Sequence, residues 1–320
     1  MTGVWRIALA LLMLATPCLA QAPYPSKQVR IVVPFPAGGS ADILCRITGE
    51  KLSTAWNQPV IVDNRAGAGG NVGAELAYRA EPDGHTLLCC PPGPLSINHN
   101  LYKTLPYDWA KFVPVTVLAL VPNVLSARID LPADTAQQLI AYAKANPGKV
   151  TYASQGNGST SHLSAQMLAT MAGLSLVHVP YKGEAPALVD LSAGRVDIFI
   201  GNISAALRFE KAKQMKFLGL ASRTRSPVVP DVPTTAELGL PGLVSSAWFG
   251  LVAPPGTPDA IVQKINADTA ATLKLPDVRG RFLELGAEPQ GDTTAATAAF
   301  IKAEEARWRS VIRSANVVLE

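Results

Sequence analysis

Val29-Arg30-Ile31-Val32-Val33 runs directly into Pro34-Phe35-Pro36-Ala37-Gly38-Gly39-Ser40, and beyond that loop Ile43, Leu44, Ile47 and Leu52 recur at near-helical spacing. A β-branched run stopped by Pro and Gly, then an apolar face of helical period, predicts strand, small-residue loop, helix. The same order returns at Val60-Ile61-Val62, then a Gly-rich stretch over 63–71, then a helix through Ala80. A third strand is predicted at Thr86-Leu87-Leu88, closed by prolines between 91 and 94. Repeated β-loop-α units put parallel strands in one sheet with helices on its faces, so the fold class is α/β.

Further along, the apolar run 113–125 is broken by Pro114 and Pro122, and a helix over 135–146 ends at Pro147-Gly148. A second βα series starts there. Strands are predicted at 150–153, 177–179, 196–200 and 217–220, with a small-residue loop over 154–161 ahead of a helix over 163–171. Trp248-Phe249-Gly250-Leu251-Val252 reads as one more strand, Thr257-Pro258 as an N-cap and first helical position, and helices follow at about 258–274, 277–285 and 293–315. Helices without a sheet of their own must bury their apolar faces on another, and the N-terminal sheet is the available one. Two α/β lobes follow: 23–123 plus 247–320 as the first, 124–246 inserted as the second, with a hinge near Asn123 and Ala247 and a cleft between.

Composition excludes several classes. With 320 residues, 48% hydrophobic and 16% charged, the chain can bury two ordinary cores, which rules out disorder as its main state. The net charge of +4 comes from 28 basic and 24 acidic residues scattered along the chain, so no nucleic-acid groove is expected. Residues 1–22 hold Arg6, an apolar run over 7–15 and small residues up to Ala22, the layout of a secretory signal peptide cleaved after Ala20 or Ala22. That run is shorter than the roughly 20 apolar residues a membrane span needs. Cys18 does not read as a lipid-modified cysteine, because Thr16 and Pro17 are not the small pair expected before one. Cys45, Cys89 and Cys90 remain in the mature part and permit at most one bridge, with their redox state open.

The loops carry the chemistry. The 34–40 loop brings small residues to a helix start, where backbone N–H groups and the helix dipole favour an anion, a carboxylate or a phosphate. It lacks the lysine of a nucleoside triphosphate loop. Asp42 either caps that helix or accepts from a ligand amine. Ser154-Gln155-Gly156-Asn157-Gly158-Ser159-Thr160-Ser161-His162 repeats the arrangement in the second lobe with hydroxyl donors; Ser159 and Thr160 also suit an N-cap, and His162 either donates to an anion or partners the cap. Tyr181 can pack on a ligand body, while Lys182 reads as a solvated charge. Asp197 and Asn202 flank the strand 198–201, where open α/β sheets place ligand contacts, or else they close turns. A dinucleotide register starting at Gly67 fails at Val72. The four histidines show no metal-type pairing, there is no Cys-x-x-Cys, and Ser159 falls one position late for a nucleophile elbow, so no metal, no cofactor and no enzyme are predicted.

Tyr24-Pro25-Ser26-Lys27, Val32-Val33-Pro34-Phe35-Pro36-Ala37-Gly38-Gly39-Ser40-Ala41-Asp42, Asn64-Arg65-Ala66-Gly67-Ala68-Gly69-Gly70 and Pro82-Asp83-Gly84-His85-Thr86-Leu87 form one set of blocks. Tyr152-Ala153-Ser154, His178-Val179-Pro180-Tyr181-Lys182-Gly183, Pro230-Asp231-Val232-Pro233-Thr234 and Ala253-Pro254-Pro255-Gly256-Thr257-Pro258 follow in order. Together they resemble the tripartite tricarboxylate transporter receptor family, or Bug family, over essentially the whole mature chain. The resemblance implies a periplasmic, Venus-flytrap solute-binding protein that closes on a small carboxylate and delivers it to a membrane permease. It assigns the grip to Phe35, Ala37, Gly38, Gly39, Ser40 and Asp42 in one lobe and to Gly158, Ser159, Thr160 and His162 in the other, with Tyr181, Asp197 and Asn202 as weaker carry-overs.

The expected ligand is a dicarboxylate, a tricarboxylate, an acidic amino acid or an aromatic acid, bound by a monomer. Two other readings share the scaffold: an exported sensor that presents its closed form to a membrane signalling protein, and an enzyme that turns the bound acid over.

Overall fold

The computed structural model of the protein describes residues 24–314, the side chain of Ser314 excepted. The predicted signal peptide, 1–22 with Cys18, lies outside the described residues. The chain opens as β1 (Val29–Val33), α1 (Ser40–Trp56), β2 (Val60–Asn64), α2 (Asn71–Tyr78) and β3 (Thr86–Cys90). β1 lies between β2 and β3, parallel to both, with Val29 opposite Val60 and Ile31 opposite Leu87. This is the β-loop-α repetition read from the first residues.

The run broken by Pro114 and Pro122 is a single 16-residue strand, β4 (Val113–Arg128). Its first part pairs antiparallel with β9 (Ser246–Ala253), from Val113 opposite Ala253 to Pro122 opposite Ser246. One residue later the partners change, and Asn123 to Ala127 pair with β7 (Ile198–Asn202) while Val124 to Arg128 also pair with β8 (Met215–Leu220). Neither proline ends the strand. Proline has no N–H for the ladder, and both sit where the ladder is already interrupted: Pro114 at a register shift, Pro122 at the change of sheets. β4 is thus the shared spine of two sheets, β2-β1-β3-β9-β4 and β4-β7-β5-β6, where β5 is Thr151–Ser154 and β6 is Val177–Pro180. β10 (Glu288–Pro289) adds to β4 in the first sheet.

The second sheet carries α3 (Ala136–Ala145), α4 (Thr160–Ala172), α5 (Glu184–Ser192) and α6 (Ile203–Lys211). The C-terminal helices α7 (Asp259–Lys274), α8 (Pro276–Glu284) and α9 (Thr294–Ser314) return to the first. Val262 and Ile265 of α7 join a core with Leu44, Val115 and Phe249, while Ile301 of α9 packs in a core with Trp248 and Val117 on the other face. The expected Thr257 cap differs in detail: Pro258 is the N-cap of α7, and the Thr257 hydroxyl donates to the Pro254 carbonyl at 2.9 Å.

Strand alternation settles the cysteines. Cys89 points with Leu87 to the α1 side and is bridged to Cys45, tying α1 to β3 across 44 residues of sequence. Cys90 points with Leu88 to the opposite face and is a buried free thiol.

At the junction of the sheets, Asn123 N–H donates to the Ser245 carbonyl at 3.0 Å, and the Ala221 N–H donates to the Asn123 carbonyl at 2.8 Å. Side chains repeat the link: Asn123 Nδ2 donates to Ser245 Oγ at 2.8 Å, and Ser164 Oγ donates to the same oxygen at 2.6 Å. The two chain crossings are therefore cross-linked through buried polar atoms.

Candidate functional site

Helix N-termini and strand C-termini from both sheets meet at one place, the carboxyl edge where open α/β sheets gather ligands. β1 leads through the 34–39 loop to α1, β5 through 155–159 to α4, β6 through 181–183 to α5, and β7 passes into α6 at Asn202. Between them lies a cavity of about 10 Å³ lined by Phe35, Pro36, Gly39, Ser40, Ala41, Pro91 and Phe249 from one side and by Gln155, Glu184 and Asn202 from the other. That is room for little more than one water, so the cleft is closed on itself.

Closure depends on glycine at a specific contact. A Cβ on Gly183 would stand 2.4 Å from Pro36 Cδ, a ring atom that cannot swing aside. Gly158, with φ +77, would place a Cβ 2.6 Å from Leu101.

The loop ahead of α1 is held by its own residues. Asn64 Nδ2 donates to the Phe35 carbonyl at 3.0 Å, and Gly38 N–H donates to Asp42 Oδ2 at 2.9 Å. Asp42 also takes Arg46 Nε at 2.9 Å, so it stiffens the loop. Burial alone would raise its carboxyl, but the hydrogen bonds from Arg46 and Gly38 hold it below the usual range. Gly39 is the N-cap of α1 and offers no side chain, which leaves the first-turn N–H groups open to another partner. That partner is Glu184, whose Oε2 accepts from Ser40 N–H at 2.9 Å across the cleft.

Glu184 is the first residue of α5 and is 5% exposed. Its Oε1 has no hydrogen-bond partner. Burial pushes its carboxyl up to about 7, partly offset by hydrogen bonds from Ser40 and Asn202. Asn202 Nδ2 approaches Glu184 Oε2 at 3.5 Å, leaving Asn202 Oδ1 buried without a donor, while Gln155 Nε2 is buried without an acceptor. Glu184 is the only charged residue lining the cavity.

In the second loop the donors are again internally paired. Gln155 N–H donates to Ser161 Oγ at 2.8 Å, Gly156 N–H to Ser154 Oγ at 3.2 Å and Gly158 N–H to His162 Nδ1 at 3.2 Å. Ser159 is the N-cap of α4, accepting from His162 N–H at 3.3 Å and donating to the Gly156 carbonyl at 2.7 Å. The His162 ring stacks on His178 at 4.2 Å and next to Tyr152. Burial, then the neighbouring His178, pushes His162 down to about 4, so it is neutral at physiological pH and brings no positive charge to the cleft.

Of the residues predicted from sequence, Phe35, Gly39, Ser40 and Asn202 line the cavity. Gly38, Asp42, Gly158, Ser159, Thr160 and His162 shape its two loops from behind, and Ala37 is exposed on the outer side of the first loop. Tyr181 is turned away, its hydroxyl donating to Asp190 at 2.8 Å. Asp197 lies just before β7, at the opposite end of that strand from Asn202, where Thr151 N–H and Arg128 Nε each donate to it at 2.8 Å. It fastens β5 to β4 and does not face the cleft. Among the described residues no group of three or more His, Cys, Asp or Glu could hold a metal ion.

Sequence reasoning overlooked Glu184. The available signal was an acidic residue opening a helix directly after the 180–183 loop, at the same sheet edge as the two loops already singled out. Pro91 and Phe249, which also line the cavity, carried no signal, because nothing local says which apolar residues of a strand end will face a cleft.

A family model described as the tripartite tricarboxylate transporter family receptor matches residues 44–317. A Pseudomonas sp. (strain P51) protein encoded between tcbD and tcbE is 40% identical over 308 residues, covering 96% of this chain and 91% of that one. BugT of Bordetella pertussis is 37% identical over 299 residues, covering 93% and 92%. Among solved structures, a Rhodopseudomonas palustris protein with adipate superposes with a TM-score of 0.90 at 38% identity, covering 92% of this chain and 99% of that one. MatC of the same organism, with bound malate, superposes with a TM-score of 0.86 at 35% identity, covering 90% and 100%.

Proposed function

This chain belongs to the tripartite tricarboxylate transporter receptor family, and we propose that it captures a small carboxylic acid between its two lobes in the periplasm and hands it to a membrane permease of the tripartite tricarboxylate type. The observation that carries this reading is the cavity onto which the β1–α1 loop and the β5–α4 loop converge from opposite sides. The adipate and malate held by its structural neighbours support an acid as ligand. Among the described residues no helix is long and apolar enough to cross a membrane.

In this reading the lobes are 23–123 with 247–320, and 124–246, with the hinge near Asn123 and Ala247; the Asn123 bond to Ser245 at that crossing supports it. Phe35, Gly39, Ser40 and Asn202 face the ligand directly, while Asp42, Ser159 and His162 hold the loops in shape. Because the closed cavity is so small, capture requires the lobes to part and close again around the acid. The role is binding and not turnover, in keeping with a family of receptors.

Thermal shift and small-angle scattering with a panel of dicarboxylic, tricarboxylic, amino and aromatic acids test it. An acid that raises the melting temperature and holds the scattering dimensions at the closed value is expected. A panel that changes neither, or conversion of a bound acid to a product, contradicts the reading.

A further inference from the structure

Resting on that reading of the cleft, we propose that Glu184 makes it selective for acids that also carry a protonated amine, such as amino acids, over acids of the same carbon skeleton without one. Glu184 reaches from the second lobe onto the N-terminus of α1, so the anion-binding position of the first lobe is already taken by a carboxylate of the protein itself, at 2.9 Å from Ser40 N. A ligand carboxylate placed there would face a second carboxylate at contact distance with no cationic side chain lining the cavity to separate them.

The unmatched polar atoms around the cavity define what fits. Glu184 Oε1 and Asn202 Oδ1 are acceptors without donors, Gln155 Nε2 is a donor without an acceptor, and the Ser40 hydroxyl is also unpaired; the residues are 5%, 2%, 4% and 1% exposed. Buried polar atoms are normally paired, so these atoms set which polar groups a ligand must present to them. An ammonium group supplies donors to both acceptors and balances the buried charge, and a carboxylate on the same molecule accepts from Gln155 at the α4 end. Phe35, Pro36, Pro91 and Phe249 offer the apolar wall for the carbon body between. A simple diacid satisfies Gln155 but leaves both acceptors unpaired. Burial that favours the protonated Glu184 points the same way, since a cation entering the cavity restores the charge that desolvation removes.

The test is calorimetric titration of matched pairs, aspartate with succinate, glutamate with glutarate, 4-aminobutyrate with butyrate, and phenylalanine with 3-phenylpropionate, against the full mature chain and its Glu184→Gln and Glu184→Ala variants. Expected is at least one pair whose amine-bearing member binds the unaltered protein about 10-fold or more tightly than its partner, with that ratio falling to about 1 in both variants. Ratios within one protein do not depend on how well a variant folds. Equal or tighter binding of the amine-free acids by the unaltered protein, or a ratio that survives both substitutions, overturns the amine preference and leaves carboxylate capture standing. If none of the eight acids binds any of the three folded proteins, capture itself fails and the preference with it.

Discussion

The Ser40 N–H and the Glu184 carboxylate, 144 residues apart in sequence, meet at 2.9 Å as the direct polar link between the loop of one lobe and the helix start of the other. A helix N-terminus left uncapped by Gly39 receives its anion from across the cleft, and that anion sits where burial makes charge costly. The closed arrangement therefore depends on the protonation of one carboxyl.

Glu184 gives a stability profile of definite sign. Its carboxyl is raised from 4.5 to about 7 on folding, so its contribution is complete below pH 4.5 and is lost as pH rises through 7. Replacing it with Gln should remove that dependence. The stability of the parent relative to Glu184→Gln should fall by about 3 kcal/mol between pH 4.5 and 7.5 in urea unfolding. Parallel profiles for the two proteins would contradict the burial argument.

The two stacked histidines act oppositely. His162 and His178 are both pushed down to about 4 by burial, so as bases their contribution is present above pH 6.5 and is lost as pH falls toward 4. Proton NMR of the two imidazoles should show both neutral down to pH 5. A ring titrating near 6.5 would mean that the stack on Tyr152 is not closed in solution.

Gly183→Ala should hold the lobes apart. The added Cβ meets Pro36 at 2.4 Å only when the cleft is shut, so each lobe should keep its fold by circular dichroism while the radius of gyration exceeds that of the parent. Identical scattering from parent and variant would show that the lobes do not approach this closely.

Ser245→Ala attacks the hinge. It takes from Asn123 Nδ2 its 2.8 Å acceptor and leaves it only Ser164 Oγ at 3.4 Å, while Ser164 Oγ keeps the Thr160 carbonyl at 2.6 Å. A loss of about 1 kcal/mol in urea unfolding is expected from the weakened Asn123 amide bond. A neutral substitution would mean that water replaces the hydroxyl at the junction.

The Cys45–Cys89 bridge should contribute about 2–4 kcal/mol, read as the loss of stability in Cys45→Ala/Cys89→Ala. Cys90 is buried and its thiol is pushed up by burial, so a thiol reagent should label it only on unfolding. Rapid labelling of the native protein would place Cys90 at the surface.

Much of the fold was legible because it is written locally. β-branched runs such as 29–33 and Gly-rich loops such as 34–39 announce βα units within about a dozen residues, and a helix that lacks strands nearby must pack on a distant sheet. The run 113–128 was legible as apolar but not as one strand, since Pro114 and Pro122 argue against a ladder unless the partner strands are known. The lining of the candidate cavity was half legible for the same reason: Ser40 and Gly39 belong to a loop with its own signature, whereas Glu184 gains its place only from what faces it.

The order of residues by itself determined the α/β class, the two small-residue loops at helix starts and the family, because each rests on short-range pattern or on blocks of identity. Tertiary structure alone decided that Cys45 pairs with Cys89 and not Cys90, that Asp197 braces a strand far from the cleft, and that a carboxylate of the protein already occupies the anion position of α1. These outcomes depend on which faces of separate elements meet, and a contact between residues 40 and 184 has no trace in the neighbours of either.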